Sequence, residues 1–476
     1  MPIAGSWRQG RSGKTCAVRD PYSSATLVEI PLADARDVDE AYRAAAASQA
    51  KWAAATPQAR RDVLECAARI AESRREEIVD WLIKEAGTTR TTANLEWKFF
   101  HDQLLEHATY PFHEAGRIVP SATPGKESRV YRRPAGVVTV ITPWNFPLHL
   151  STRAVGPALA VGNAVVLKPA LATPVSGGLL IAKVFEEAGL PRGVLSVIVG
   201  DSKTVGDALV DHPIPRVISF TGSTAVGRHV GERCGRNLKR ACLELGGNGP
   251  FIVLDDADLE LAVDAAVAGK FVHQGQMCVA VNRILVDDAI HDAFVERFAA
   301  RAGELPAGDP SDPKTAIGPI IDRCCLDAIL KKVDATIEAG ACVVLRGQVS
   351  GLVLSPIVLT RVTNDMPAAR EELFGPVAPI LRFHGDDEAV DIANDTDYGL
   401  SSAVFTRDVE RGLRTAHRIQ AGMTHVNDWP LNEDANAPFG GEKASGLGRF
   451  GGEWALDELT THHWISVQET PRRYPI

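Results

Sequence analysis

RVISFTGSTAVGRHVGERCG, Arg216 to Gly235, sets a short apolar run directly before a helix-like one. Val217, Ile218, Phe220 and Thr221 are β-branched or aromatic and suit a buried strand. Gly222 and Ser223 break the run, and Ser223 is the residue type that caps a helix. The same alternation recurs on both sides. GVVTVIT (136–142), NAVVLKPA (163–170), VLSVIVG (194–200) and PFIVLDD (250–256) read as strands. SGGLLIAKVFEEAGL (176–190) and SKTVGDALVDH (202–212) read as helices between them. Strands alternating with helices argue for a parallel sheet with covering helices. Ligands on such sheets gather at the carboxyl ends of the strands. Those ends hold Thr142-Pro143-Trp144-Asn145, Lys168-Pro169, Gly200 and Thr221-Gly222-Ser223.

Residues 37–86 precede this region and have helical periodicity. Thr56-Pro57 has the form of an N-cap with proline in the first turn, and Gly87 ends the run. A second α/β pattern follows Cys278, through NRILVDD, GACVVLRG and APILRF to SSAVFT. The chain closes on WISVQETPRRYPI, a strand and a tail. No internal repeat or low-complexity tract interrupts it.

The bulk numbers narrow the function. The chain has 476 residues, 45% hydrophobic and 23% charged, with a net charge of −9. That size suits two or three domains. The acidic balance gives no attraction to nucleic acid or an anionic membrane. The N-terminus lacks the apolar core of a signal peptide, and no segment reaches the length of a membrane span. Eight cysteines without a CxxC pair or regular spacing argue against a disulfide scaffold or a zinc site, and for a reducing cytoplasm. No metal is expected.

Two familiar nucleotide motifs fail on context. GLGRFG (446–451) matches GxGxxG, but no strand leads into it and no βαβ unit follows, so it reads as a tight turn. GSTAVG (222–227) has P-loop glycine spacing, but Arg228-His229 stand where Lys-Ser/Thr belong. Chemistry-bearing residues lie elsewhere. FVHQGQMCVA (271–280) places Cys278 after a Gly-Gln-Met turn, as either a core filler or a nucleophile. LELGGN puts Glu244 in an apolar segment, where burial would raise its pKa toward that of a general base. Asn145, in TPWNFP, has an amide suited to an oxyanion, or to an ordinary turn. Lys168 ends an apolar strand, and Ser223 opens a helix whose N-terminus can hold a pyrophosphate.

TPWNFP, VVLKPA, FTGS, LELGG, GQMC, EELFGPV and PFGGEKASG occur in the order found in the aldehyde dehydrogenase superfamily, which the chain resembles from about residue 20 to its end. The resemblance implies an α/β fold with a Rossmann-type cofactor domain (1–111 and 135–246) and an α/β catalytic domain (247–445). It adds a small β oligomerisation element (112–134 and 460–476). It implies Cys278 as nucleophile, Asn145 and the Cys278 N–H as oxyanion hole, and Glu244 as general base. Lys168 would hold the adenosine ribose, Ser223 the pyrophosphate, and Glu372 the nicotinamide ribose, with Phe374 beside the ring. Thr142, Trp144, Gly200, Gly222 and Leu245 complete the expected cofactor side. Two positions depart from the pattern. Leu171 replaces a glutamate that grips the ribose 2′-hydroxyl in many relatives, so NAD is expected with NADP tolerated. Phe450 replaces a glutamate that assists water activation in some.

The C-terminal stretch THVNDWPLNEDANAPFGGEKASGLGRFGGEWALDELTTHHWISVQ, FVHQGQMC and RRYPI resemble the benzaldehyde, salicylaldehyde and vanillin dehydrogenase branch. Phe146, Leu150, Val272, Met277 and Val279 are expected to line an apolar tunnel for an aryl ring. Arg153 and His149 are polar additions at the same entrance, suited to a ring hydroxyl or to the carboxylate of a semialdehyde. The alternatives are a dicarboxylic semialdehyde dehydrogenase and a cofactor-independent cysteine esterase using Cys278 with His273. The expected partner is a small-molecule aldehyde, in a homodimer or homotetramer.

Overall fold

In the computed structural model, residues 1–113 and 115–475 are described. Glu114 and Ile476, both within the expected oligomerisation element, lie outside them. Two largely parallel sheets dominate. The first has six strands in the spatial order Gly446–Leu447, Arg240–Glu244, Val217–Thr221, Val137–Ile141, Ala164–Lys168, Leu195–Val197. The last five run parallel. Val137–Ile141, first in sequence, lies between strands that lead the chain in opposite directions. The crevice at its carboxyl end is therefore a topological switch point, where ligands bind such sheets. The strands Ala164–Lys168 and Val217–Thr221 are largely apolar and buried throughout, as the interior of a parallel sheet with helices on its faces requires.

The second sheet has seven strands. Its centre is Val377–Phe383, Val281–Asp287, Gly249–Val253 and Ser401–Phe405, all parallel. PFIVLDD thus opens the second sheet rather than extending the first. A third sheet pairs Thr460–Gln468, Lys126–Pro134 and Gly116–Val119 antiparallel.

The helical start follows its sequence signals. Thr56 Oγ1 accepts from the Ala59 N–H at 3.2 Å, and Gly87, at φ +67°, ends Arg75–Ala86. GLGRFG departs from its reading. Gly446–Leu447 is not only a turn but an edge strand, paired antiparallel with Leu243 and Glu244. A Cβ on Gly446 would lie 2.2 Å from the Leu243 carbonyl oxygen, so only glycine permits the pairing.

One helix, Pro147–Ala160, carries His149, Leu150 and Arg153 and is buried along its whole length. Its first turn is held from outside. Glu96 Oε1, on Arg90–His107, accepts from the N–H groups of Leu148 at 2.9 Å and His149 at 3.2 Å. These are donors a helix start leaves without partners. Burial pushes the Glu96 carboxyl up to about 8, against the pull of the two N–H groups. We predict that Glu96→Ala lowers stability by roughly 1–3 kcal/mol, the usual cost of stranding buried donors. Glu96→Gln keeps an acceptor and removes the ionisation. Because the folded-state pKa is raised, the wild type loses stability as pH rises toward 8, and Glu96→Gln gains on it over that interval. Unfolding melts at pH 6 and 8.5 check both statements.

Candidate active site

Four strand ends and one strained turn build the site. After Val137–Ile141, Thr142 donates its N–H to the Lys168 carbonyl at 3.1 Å. Its hydroxyl lies 2.8 Å from that of Ser151. These contacts anchor the loop that carries Trp144 and Asn145. Val217–Thr221 runs into Gly222 and Ser223, and Ser223 caps the helix Thr224–Arg236. Glu244 ends the neighbouring strand, and its carbonyl accepts from the Gly222 N–H at 3.0 Å. Gly227 packs against Leu245 so closely that a Cβ would lie 2.2 Å from the leucine side chain.

Cys278 arrives from the other sheet through His273, Gln274 and Gly275, at φ +52°, +55° and +70°. Non-glycine residues in this region are strained and persist only when their surroundings hold them. Here they are held. Gln274 Nε2 donates to the carbonyls of Gly87 at 3.1 Å and Pro319 at 3.0 Å. Gln276 Oε1 accepts from the Ile321 N–H at 3.0 Å. Asn145 Nδ2 donates to the Gln276 carbonyl at 2.9 Å, tying the first sheet's loop to the turn. Gly247 lets the chain pass the Cys278 carbonyl, 2.2 Å from where a Cβ would stand.

Between these parts lies a cavity of about 230 Å³. Asn145, Glu244 and Cys278 share its wall with Gly222, Ser223 and Leu245. Glu372 and Phe374 close the opposite side. Glu372 Oε1 accepts from the Gly247 N–H at 3.0 Å, and the Phe374 ring meets Trp144 edge to face at 5.5 Å. Lys168 and Gly200 stand at adjacent strand ends outside this wall. Lys168 is buried, its Nζ 3.4 Å from the Pro169 carbonyl, and burial draws it down to about 8.

The anticipated aryl tunnel is only partly there. Leu150 lines the cavity. Phe146 instead packs its ring on His273 at 4.9 Å. Met277 and Val279 are buried in the core. Val272 lines a separate groove with Trp97 and Trp429. Arg153 is not at an entrance. It is buried, with Nη2 3.1 Å from Glu244 Oε2 and the guanidinium between the rings of Phe439 and Phe450, at 4.3 and 4.5 Å. Its charge is already matched inside the protein. His149 is likewise engaged, 2.9 Å from Glu433. Glu433 and Phe439 lie in the C-terminal stretch that resembles the family, but neither was read there as a site residue. Gly246, where a Cβ would lie 2.8 Å from Glu372 Oε2, was legible only as half of a glycine pair.

The electrostatics centre on Glu244. It is fully buried, and desolvation pushes its carboxyl up while Arg153 pulls it down. Burial also pushes Glu372 up to about 7. The Cys278 thiol is driven well above its usual range by burial and then by Glu244, with Arg153 opposing. His273 is held near 4 by burial. Among the described residues no cluster of three or more His, Cys, Asp or Glu is arranged to hold a metal. Among the same residues no helix is long and apolar enough to cross a membrane.

A doubly wound crevice facing a cysteine, a buried glutamate and an asparagine amide defines an oxidoreductase-type site. The chain belongs to the aldehyde dehydrogenase family, whose sequence model matches residues 7–465. A benzaldehyde dehydrogenase of Bacillus subtilis is 49% identical over 473 residues, 99% of this chain and 98% of the relative. A vanillin dehydrogenase of Corynebacterium glutamicum is 47% identical, over 98% of this chain and 97% of its own. The crystal structure of an NAD-dependent benzaldehyde dehydrogenase from Corynebacterium glutamicum superposes with a TM-score of 0.91 at 46% identity, covering 98% of this chain and 97% of that one.

The thiol environment makes a direct prediction. Without cofactor, alkylation of Cys278 by iodoacetamide is slow at pH 7 and climbs above pH 9. Glu244→Gln removes the neighbouring negative charge and speeds the reaction at neutral pH. A wild-type rate already at plateau by pH 7 would contradict this reading.

Proposed function

We propose that this enzyme oxidises an aromatic aldehyde of the benzaldehyde or vanillin kind to its acid, with NAD as hydride acceptor. The observation that carries the reading is the single cavity lined by Cys278, Asn145 and Glu244 together with Ser223 and Glu372. The names of the relatives support the substrate class and the cofactor.

The residues fit a dinucleotide. The helix N-terminus at Ser223 suits a pyrophosphate. Glu372 presents a carboxylate to the cavity, and Lys168 has a buried ammonium whose one near neighbour oxygen is 3.4 Å away. When bound, the nicotinamide accepts the hydride. The chain's own groups do the rest. The Cys278 thiol gives its proton to Glu244, its hydrogen-bonded neighbour, which sheds it to solvent; the thiolate adds to the aldehyde carbon, and the carbonyl oxygen becomes an oxyanion. The Asn145 amide and the Cys278 N–H donate to it. Hydride departure leaves a thioester on Cys278. Glu244 takes a proton from water, the hydroxide oxygen bonds the acyl carbon, the C–S bond breaks, and the acid leaves. Leu150, Trp144 and Phe374 give the cavity an apolar wall for the ring. Cys278→Ala abolishes oxidation.

The semialdehyde alternative loses its main support, since Arg153 is engaged by Glu244. The esterase alternative has little support either. His273 packs on Phe146 and lies 3.4 Å from the Thr88 hydroxyl. A carboxylate is missing at Leu171, so NADP is expected to serve within about tenfold to a hundredfold of NAD, a difference of roughly 1.4–2.7 kcal/mol. Leu171→Glu widens that gap.

We assign cofactor binding to residues 1–111 and 135–246, catalysis to 247–445 and oligomerisation to 112–134 with 460–476. Thr460–Gln468 is a nine-residue edge strand with Trp464 and Ile465 exposed, a surface that pairs with another chain. We propose a homodimer or homotetramer, in a reducing cytoplasm. Trp464→Glu with Ile465→Lys lowers the mass seen by light scattering.

Steady-state assays with NAD and benzaldehyde, vanillin, salicylaldehyde, hexanal and succinic semialdehyde test the substrate class. An aryl aldehyde is expected to have the highest kcat/KM. A tenfold lead for succinic semialdehyde would overturn the assignment.

A further inference from the structure

Behind Glu244 lies a buried charge network. Arg153 Nη2 is 3.1 Å from Glu244 Oε2, and Arg153 Nη1 is 3.6 Å from Glu433 Oε1. Glu433 Oε2 is in turn 2.9 Å from His149 Nε2. The four side chains are between 0% and 8% exposed. The Arg153 guanidinium also packs on the rings of Phe439 and Phe450, at 4.3 and 4.5 Å. One cation is thus fixed between two carboxylates that come from distant parts of the chain.

We propose that Glu433 is a positioning residue for the general base: by sharing Arg153, it keeps the guanidinium from belonging to Glu244 alone. The proposal rests on the reading of Glu244 as base. The reasoning is electrostatic. An arginine matched to a single buried carboxylate holds it as a weak, pinned anion. A second carboxylate on the far side divides that attraction and adds its own negative field at Glu244. Both effects keep Glu244 basic. The base therefore stays able to take the proton of the hydrolytic water. Other charged or titratable groups face the pair. Cys278, Cys242 and Glu372 act on Glu244. His149 acts on Glu433, with His107 and the Glu96 cap behind it. Of the carboxylates, Glu433 adjoins Arg153 without lining the cavity or carrying a step of the reaction.

The test uses the full-length enzyme, benzaldehyde and NAD, from pH 5 to 10. In Glu433→Gln the acid limb of kcat is expected to move down by about one pH unit, and kcat to fall about tenfold. The first-turnover burst of reduced cofactor is expected to persist, because acyl release alone is slowed. Glu433→Asp, with a shorter reach to Arg153, shifts the limb in the same direction by less, and serves if the glutamine variant does not fold. An acid limb unchanged from wild type in both variants overturns the proposal. So does loss of the burst together with kcat. A wild type that oxidises no aldehyde refutes the functional reading instead. The pH dependence of Cys278 alkylation, which needs no turnover, then tests whether Glu433→Gln shifts the Glu244 titration.

Discussion

A carboxylate with almost no water around it governs this structure. Glu244 ends a strand of the first sheet, with its backbone paired on one side to Thr221 and on the other to Gly446. A lone carboxylate cannot stay ionised in such a place. Arg153 makes the burial tolerable, and Arg153 in turn needs a helix that is itself buried and capped by Glu96. The aromatic pair Phe439 and Phe450 fixes the guanidinium from the C-terminal segment. Three stretches far apart in sequence thus converge on one oxygen atom of one glutamate.

The cysteine opposite depends on a different constraint. Three successive left-handed residues, His273 to Gly275, aim the chain so that Cys278 meets the crevice of the other sheet. Gln274 and Gln276 tie that turn to Gly87, Pro319 and Ile321, and Asn145 closes the set. The nucleophile and its oxyanion donor are therefore positioned by one contact, the Asn145 amide on the Gln276 carbonyl. A site on two sheets is held together by backbone carbonyls more than by side-chain pairs.

Much of this was legible in the sequence, and the residues show why. Strand ends such as Thr142, Lys168, Ser223 and Glu244 follow apolar runs, and a parallel sheet must gather such ends along one edge. The turn before Cys278 announces itself by Gly275. Arg153 was misread because its neighbours in sequence, Leu150 and Asn145, do face the cavity, while its partner Glu433 lies 280 residues away. Phe450 was visible only as a missing glutamate. Its use, covering a guanidinium, exists only once the C-terminal segment is folded against the buried helix. Met277 and Val279 were placed by proximity to Cys278, but both are buried in the core.

The account stands or falls on whether an acyl group is carried by Cys278. The most direct measurement is intact-protein and peptide mass spectrometry of Glu244→Gln after brief exposure to benzaldehyde and NAD. With water activation removed, the protein should gain one benzoyl group on the peptide holding Cys278. No adduct while reduced cofactor forms, or an adduct at another cysteine such as the exposed Cys324, would contradict it.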